Sequence, residues 1–269
     1  MRRAVDGRVG TPAPTGAGEG PHRKDKGDEG LVALVTGGAR RLGAGISRHL
    51  AEQGFRTVVN YRGSRGPAEG LVRAIRRKGG EAVSIRADVT RPADVERMVR
   101  RTEDLYGRLD VLVNNVGEYL EKPLSGMKHE EWERVLRSNL TSVFICCMAT
   151  LPLLRRSGKG RIIVIGYAPA GKMAASSRCA AYHIAKSGAL ILTKSLAAEE
   201  ARHGVTVNMV SPGTIFNSVK KPSRDPRDYI PAGRFCRYDD IFGAIDYLLS
   251  ERASYVTGGH LVVSGGYAI

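Results

Sequence analysis

The chain has 269 residues, of which 42% are hydrophobic and 26% charged, a composition that fits one ordinary globular domain. No apolar run approaches the roughly 20 residues of a bilayer span, and nothing near the start resembles a secretory signal, so we expect a cytoplasmic protein without membrane association. The formal net charge of +15 is scattered over helix ends and loops, and only 6% of the residues are aromatic, which argues against a specific nucleic-acid function.

Residues 1–30 are dominated by glycine, proline and charged side chains, with almost no apolar periodicity. Such a segment buries too little surface to offset its ordering entropy, so we predict a disordered N-terminal tail over 1–30. The segment is either a regulatory tail or an extension upstream of the native start, and the abrupt beginning of a strand at Leu31 favours the second.

Deletion of residues 1–30 is expected to leave folding and turnover nearly unchanged, because the segment carries few apolar side chains that dock on a domain. The melting temperature and the catalytic rate of the truncated and full-length chains measure this. A fall of several degrees in melting temperature on truncation would show that the segment packs after all.

From Leu31 onward, short apolar runs rich in valine and isoleucine alternate with amphipathic helical patterns. The runs are typical of strands that are buried on both faces of a parallel sheet. The strand candidates are 31–35, 57–59, 82–85, 111–113, 162–165, 205–210 and 261–263, and the helix candidates include 44–53, 92–106, 130–154 and 182–203. This alternation, without an internal repeat, predicts one α/β domain over 31–269 with a doubly wound, seven-stranded parallel sheet.

The first strand leads into a glycine-rich turn, TGGARRLGAG over residues 36–45. A turn of this kind between a strand and a helix brings backbone N–H groups and the helix N-terminus against a pyrophosphate. It resembles the TGxxxGxG loop of the short-chain dehydrogenase/reductase family, with Thr36, Gly37 and Gly43 in place and Arg41 at the middle glycine. A similar arginine faces the cofactor phosphates in pteridine reductases; the alternative is that Arg41 points to solvent.

The second strand ends at 60–62 without the acid that would hold the ribose 2′-hydroxyl of NAD about 20 residues past the loop. Arg40, Arg62 and Arg65 are instead available to surround a 2′-phosphate, for which the guanidinium fork is well suited. We therefore predict NADPH as the cofactor of a single Rossmann domain.

The resemblance continues along the folded part of the chain. Asp88-Val89 matches the family's adenine contact, and residues 114–117 match its NNAG turn. Residues 211–214 match the loop that packs on the nicotinamide. The cofactor-binding residues that it implies are Gly37, Arg40, Arg41, Leu42, Gly43, Asn60, Arg62, Asp88, Val89, Asn115, Val116, Gly117, Tyr182, Lys186, Pro212, Gly213 and Thr214.

Tyr182 and Lys186 stand at positions i and i+4 of a predicted helix, on one face and one turn apart. A free phenol has a pKa of about 10, and a nearby ammonium lowers it, so the pair makes chemical sense as a general acid. The resemblance implies that Tyr182 protonates the carbonyl oxygen, and that Lys186 lowers the pKa of Tyr182 and holds the nicotinamide ribose. It also assigns Asn139 to a proton-relaying water, and we expect His183 to face solvent or a subunit contact.

One position departs from the family's pattern. The substrate-orienting serine at the end of the fifth strand is missing, and Tyr167 occupies its place. Ser176 and Ser177 follow in a loop that is slightly longer than usual, and the sequence leaves open whether Tyr167 or one of these serines binds the substrate.

These residues indicate an NADPH-dependent oxidoreductase that reduces a carbonyl, most similar to 3-oxoacyl-carrier-protein reductases, whose acidic carrier a basic surface suits. The alternatives are a pteridine or secondary-metabolite ketone reductase, or a non-catalytic NADPH-binding protein. The family implies a homotetramer built through its two long helices. The four cysteines lack zinc-ligand spacings, so we expect free thiols and no metal.

Overall fold

A computed structural model of the chain describes residues 30–217 and 224–267. The predicted tail therefore lies outside the described residues, except for Gly30 at its end, and its disorder stays a prediction. Part of the loop between the sixth strand and the last helix, residues 218–223, lies outside them too.

The described residues form one parallel sheet of seven strands, as the sequence predicted. The strands are β1 Val32–Val35, β2 Arg56–Tyr61, β3 Ala82–Arg86, β4 Val111–Asn114, β5 Arg161–Ile165, β6 Thr206–Pro212 and β7 His260–Val263. Their order is β3-β2-β1-β4-β5-β6-β7. The chain reverses direction across the sheet between β1 and β4, and such a switch point leaves a ligand-binding crevice at the carboxyl ends of the strands.

Seven helices connect the strands: α1 Arg41–Glu52, α2 Arg65–Arg77, α3 Pro92–Tyr106, α4 His129–Leu136, α5 Ser142–Arg156, α6 Ala180–Glu200 and α7 Tyr238–Leu249. Alternate residues of β1 show why both faces of the sheet need helices. Val32 and Leu34 belong to the core with α3, α5 and α6, whereas Ala33 and Val35 belong to the core with α1 and α7. The valine-rich strands are thus buried on both sides.

The predicted single helix over 130–154 is in fact two helices, α4 and α5, joined by a π-helical turn over Arg137–Thr141. This continuous stretch, His129–Arg156, has 28 residues and is long and apolar enough to cross a membrane by length and composition. The expectation that no such stretch exists is wrong. Half of its most apolar window is buried inside the fold, and one helix of this length and composition is weak evidence for a membrane span.

Candidate active site

The glycine-rich turn after β1 brings the backbone of Gly37 close to the start of α1. Gly37 has a φ of +59°, which favours glycine, and its amide donates to Asn60 Oδ1 at 3.1 Å. A Cβ atom on Gly43 would lie 2.3 Å from the carbonyl oxygen of Gly37, so a larger residue does not fit at the start of α1. The side chain of Leu42 is buried in the core, so only its backbone is available to a ligand.

Arg41 is strained. Among residues 30–217 and 224–267 it is the one non-glycine residue with a positive φ, at 49°. This conformation costs roughly 1–2 kcal/mol for an L-residue, and strain of this kind is concentrated at functional sites. Arg40, the N-cap of α1, and Arg41, its first residue, both have exposed side chains, so two guanidinium groups flank the start of the helix.

Arg62 and Asp88 meet at the ends of β2 and β3. The side chain of Arg62 is 77% exposed, and its Nη1 lies 3.7 Å from Asp88 Oδ2. Burial by itself would raise the pKa of Asp88, but hydrogen bonds from Thr90 and the charge of Arg62 lower it overall. Val89 is buried, so its side chain belongs to the core. Arg65 forms an ion pair with Glu69 at 2.7 Å.

Asn60 lies beneath the glycine-rich turn and contacts it. Its side chain is buried; Oδ1 accepts from the amide of Gly37, and Nδ2 donates to the carbonyl oxygen of Ala87 at 3.1 Å. These bonds engage the side-chain amide, and the predicted role of Asn60 in cofactor binding stays a prediction. Asn60 holds the turn against the end of β3.

The NNVG turn after β4 is tied to the same loop. Asn115 donates from its backbone to Thr36 Oγ1 at 2.9 Å and from its side chain to the Thr36 carbonyl at 3.0 Å. Val116 lies against Gly37, and a Cβ atom on Gly37 would be 3.0 Å from its Cγ2. Gly117 is exposed. The predicted residues of the two loops are thus brought together.

Asn139 borders this turn from the π-helical segment. It is fully buried, and its Nδ2 donates to the carbonyl oxygens of Glu118 at 2.9 Å and Val135 at 3.0 Å. Its Oδ1 has no hydrogen-bond partner within the described part of the chain. A Cβ atom on Gly117 would lie 2.3 Å from this oxygen and 3.3 Å from Lys186 Nζ, so both groups border the same point. A buried acceptor of this kind calls for a donor such as water.

The Tyr182/Lys186 pair lies on α6, as predicted. Lys186 is buried, and its Nζ lies 5.8 Å from the centre of the Tyr182 ring and donates to the Ile165 carbonyl at 2.7 Å. Burial lowers the pKa of Lys186 to about 8. Burial and the neighbouring Cys179 and Tyr119 raise the pKa of Tyr182. The lowering of this pKa by Lys186, which the resemblance implies, stays a prediction.

Tyr167 follows β5 and lies beside Tyr182. The centres of the two rings are 5.2 Å apart at an angle of 70°, and Tyr167 Oη lies 4.0 Å from Cys179 Sγ. Ser176 Oγ lies 3.2 Å from the same sulfur, and Ser177 is exposed.

His183 contradicts part of the sequence-based expectation. It is buried rather than facing solvent, and its Nε2 lies 3.0 Å from the carbonyl oxygen of Lys172. The imidazole therefore fastens α6 to the loop after β5.

The loop after β6 is fixed against β7 and the segment before α7. Pro212 is buried, Gly213 donates to the Val263 carbonyl at 2.9 Å, and Thr214 accepts from Cys236 N at 2.9 Å. A Cβ atom on Gly213 would lie 2.9 Å from Ser264 Cα, so the close approach requires glycine.

Sequence reasoning missed two residues of the site, Tyr119 and Cys179. The Tyr119 ring lies 5.1 Å from that of Tyr182, and burial, followed by the neighbouring Cys179, raises the pKa of Tyr119 to about 12. Cys179 is the buried N-cap of α6. In the sequence, Tyr119 lies two residues after the NNVG turn and Cys179 three residues before Tyr182, and this proximity could have indicated that both belong to the site.

Comparison with known proteins gives consistent matches over most of the chain. The sequence model of a family described as Enoyl-(Acyl carrier protein) reductase matches residues 37–268. The 3-oxoacyl-[acyl-carrier-protein] reductase FabG of Staphylococcus epidermidis is 38% identical over 239 residues, which cover 87% of this chain and 97% of the relative. The 3-oxoacyl-[acyl-carrier-protein] reductase of Synechocystis sp. is 38% identical over 238 residues, 87% of this chain and 96% of the relative.

Solved structures agree with these relatives. A short-chain dehydrogenase/reductase from Serratia marcescens superimposes with a TM-score of 0.84 at 31% identity, covering 90% of this chain and 99% of that one. A blue fluorescent protein from a metagenomic library, in complex with NADPH, gives a TM-score of 0.83 at 33% identity, with the same coverage of both chains.

Proposed function

Because the chain belongs to the short-chain dehydrogenase/reductase family, we propose that it is an NADPH-dependent reductase of a 3-oxoacyl thioester or a related ketone, with Tyr182 as the proton donor. The observation that carries the proposal is that Lys186 lies near the Tyr182 ring and borders Gly117 of the NNVG turn together with Asn139, while Asn115 ties that turn to the glycine-rich turn. Relatives that are 38% identical over 87% of the chain are named as 3-oxoacyl reductases, which supports the same reaction.

The residues present fit a dinucleotide phosphate. The tight packing at Gly37 and Gly43, where a Cβ atom does not fit, holds the turn close to the start of α1, and Arg40, Arg41 and Arg62 have exposed side chains that can bind phosphate. The other residues proposed to hold the cofactor are Leu42, Asn60, Asp88, Val89, Asn115, Val116, Gly117, Tyr182, Lys186 and the loop 212–214. When bound, NADPH supplies a hydride to the carbonyl carbon.

Tyr182 is proposed to give its proton to the carbonyl oxygen as negative charge develops there. Burial raises the pKa of Tyr182, so the phenol carries its proton at neutral pH, and the charge that develops on the carbonyl oxygen is what makes that oxygen basic enough to take it. Lys186, with a pKa of about 8, exchanges its own proton near neutrality. A water held by the unpartnered Asn139 Oδ1, beside Lys186, is proposed to restore the proton from solvent.

A carrier-protein-bound substrate, a cytoplasmic location and a homotetramer are parts of the same proposal. The formal charge of +15 supports an acidic partner, and four free cysteine thiols support a reducing compartment. Phe144 on α5 and Ile184 and Ile191 on α6 are 48%, 48% and 65% exposed, which supports burial between subunits. Sedimentation of the purified chain as a monomer would contradict the tetramer.

The test of the function is NADPH oxidation with two thioesters of the same chain length. One carries a 3-oxobutanoyl group and the other a trans-2-butenoyl group, so they separate C=O from C=C reduction. We expect oxidation with the first and a 3-hydroxyacyl product. Oxidation with the second alone, or with a pterin or a quinone alone, would replace the proposed substrate, whereas NADPH binding without oxidation of any of these would identify a non-catalytic protein.

A further inference from the structure

The backbone after β5 leaves no room for a side chain until Tyr167. The amide of Gly166 continues the sheet by donating to the Val210 carbonyl at 2.8 Å, and a Cβ atom there would lie 2.2 Å from Ser211 Oγ. Tyr167 has extended backbone angles, φ −147° and ψ 130°. It is therefore the first residue beyond Ile165 whose side chain can serve the site at this strand end.

The Tyr167 ring packs against two aromatic side chains of α6. Its centre is 5.2 Å from the Tyr182 ring and 6.0 Å from the His183 ring, both in edge-to-face contacts. Lys186 Nζ binds the carbonyl oxygen of Ile165, two residues before Tyr167. These contacts fix a second phenol next to Tyr182 on a well-packed part of the fold.

The hydroxyl group of Tyr167 has a weak partner. Its hydroxyl oxygen lies 4.0 Å from Cys179 Sγ, and a thiol sulfur is a poor acceptor. Burial, with the neighbouring Cys179, raises the pKa of Tyr167, so the phenol keeps its proton at neutral pH. A carbonyl oxygen that gains negative charge is a much stronger acceptor than this sulfur.

The two loop serines are placed less favourably. Ser176 Oγ accepts from the amide of Cys179 at 3.4 Å and lies 3.2 Å from its sulfur, so it is engaged with the N-cap of α6. Ser177 is exposed. Ser176 therefore stabilises the start of α6.

We propose that Tyr167 is a second catalytic phenol, which donates a hydrogen bond to the substrate carbonyl oxygen while Tyr182 transfers its proton to that oxygen. Tyr167 itself keeps its proton, so no further acid or base is required. The inference rests on the proposed carbonyl reduction and adds a residue to it.

The test is Tyr167→Phe, which keeps the ring and removes the hydroxyl. We expect kcat to fall by about 10²–10³, as for the loss of one donor to an oxyanion, while the Kd of NADPH stays unchanged. Tyr106→Phe is the matched control, because its buried Oη lacks a partner among the described residues and its ring lies near Arg56, at the amino end of β2 and away from the strand ends that carry the site. This control is expected to turn over normally.

Ketones of different electronic character distinguish a catalytic role of Tyr167 from a purely structural one. If Tyr167 stabilises developing charge, the loss in Tyr167→Phe shrinks for electron-poor ketones, which need less stabilisation. An equal loss for all ketones, or normal turnover in Tyr167→Phe with loss in the Ser176→Ala/Ser177→Ala double variant, would overturn the inference but not the proposed function. A wild-type protein that reduces no carbonyl would overturn both.

Discussion

Tyr182→Phe is expected to abolish measurable turnover while NADPH binding survives. The substitution removes the hydroxyl that protonates the carbonyl oxygen and leaves the ring that packs against Tyr119 and Tyr167. General acid catalysis contributes typically about 10²–10⁴ in rate, so the loss should be near the upper end of what one side chain can cause. Lys186 would remain buried with its bond to Ile165, so the fold of the site should persist.

The measurements are single-turnover NADPH oxidation and NADPH binding followed by fluorescence, with Tyr255→Phe as the control. Tyr255 is fully exposed after α7, so the same chemical change there should be silent. Retention of more than a few per cent of the activity, in a variant that binds NADPH normally, would mean that another residue supplies the proton. Tyr167 would then be the first candidate, because its phenol contacts the same ring.

The strands were predictable because burial on both faces requires short runs of apolar residues, which are visible in the sequence. Runs of valine and isoleucine mark each of them, and α3 was predicted over the observed residues because Pro92 starts it and Gly107 ends it with a φ of +68°. The sequence did not single out α2, whose Gly66, Pro67 and Gly70 are poor helix formers. Packing of its buried face against β2 and β3 outweighs that local preference.

The π-helical turn inside the long helical stretch was not predictable from periodicity. It depends on Asn139, whose amide donates to Glu118 in the preceding loop as well as to Val135 in α4. That contact joins residues 21 positions apart, and no pattern in a local window reports it. The turn nevertheless directs Asn139 toward Gly117 and Lys186, so an irregularity of the backbone serves the site.

Motifs identified which residues form the site, but not which side chains are already engaged. Asn60 fits the family's position beside the cofactor, but the motif did not reveal that its side-chain amide also binds Gly37 and Ala87. Cys179 carried no motif, although its sulfur contacts both Tyr167 and Ser176. Burial and partners of this kind follow from the path of loops between distant strands, which one sequence does not specify.

The cofactor preference depends on exposed charge near the ends of β1 and β2. Arg40→Ala/Arg62→Ala is expected to raise the KM of NADPH far more than that of NADH, since only NADPH carries the 2′-phosphate that these guanidinium groups are proposed to bind. A hydrogen bond to a charged group contributes about 1.5–3 kcal/mol, so losing one such bond should raise the KM of NADPH by about tenfold or more.

Arg73→Ala is the control for a general loss of positive charge, because Arg73 is exposed and lies about two turns past the start of α2. It should change neither KM. The Arg62 charge is partly balanced by Asp88 at 3.7 Å, and Arg40 has an exposed side chain at the N-cap of α1, so the single variants should show a larger effect for Arg40. Equal increases of the two KM values in the double variant would refute the 2′-phosphate assignment, because NADH lacks the group on which the preference depends.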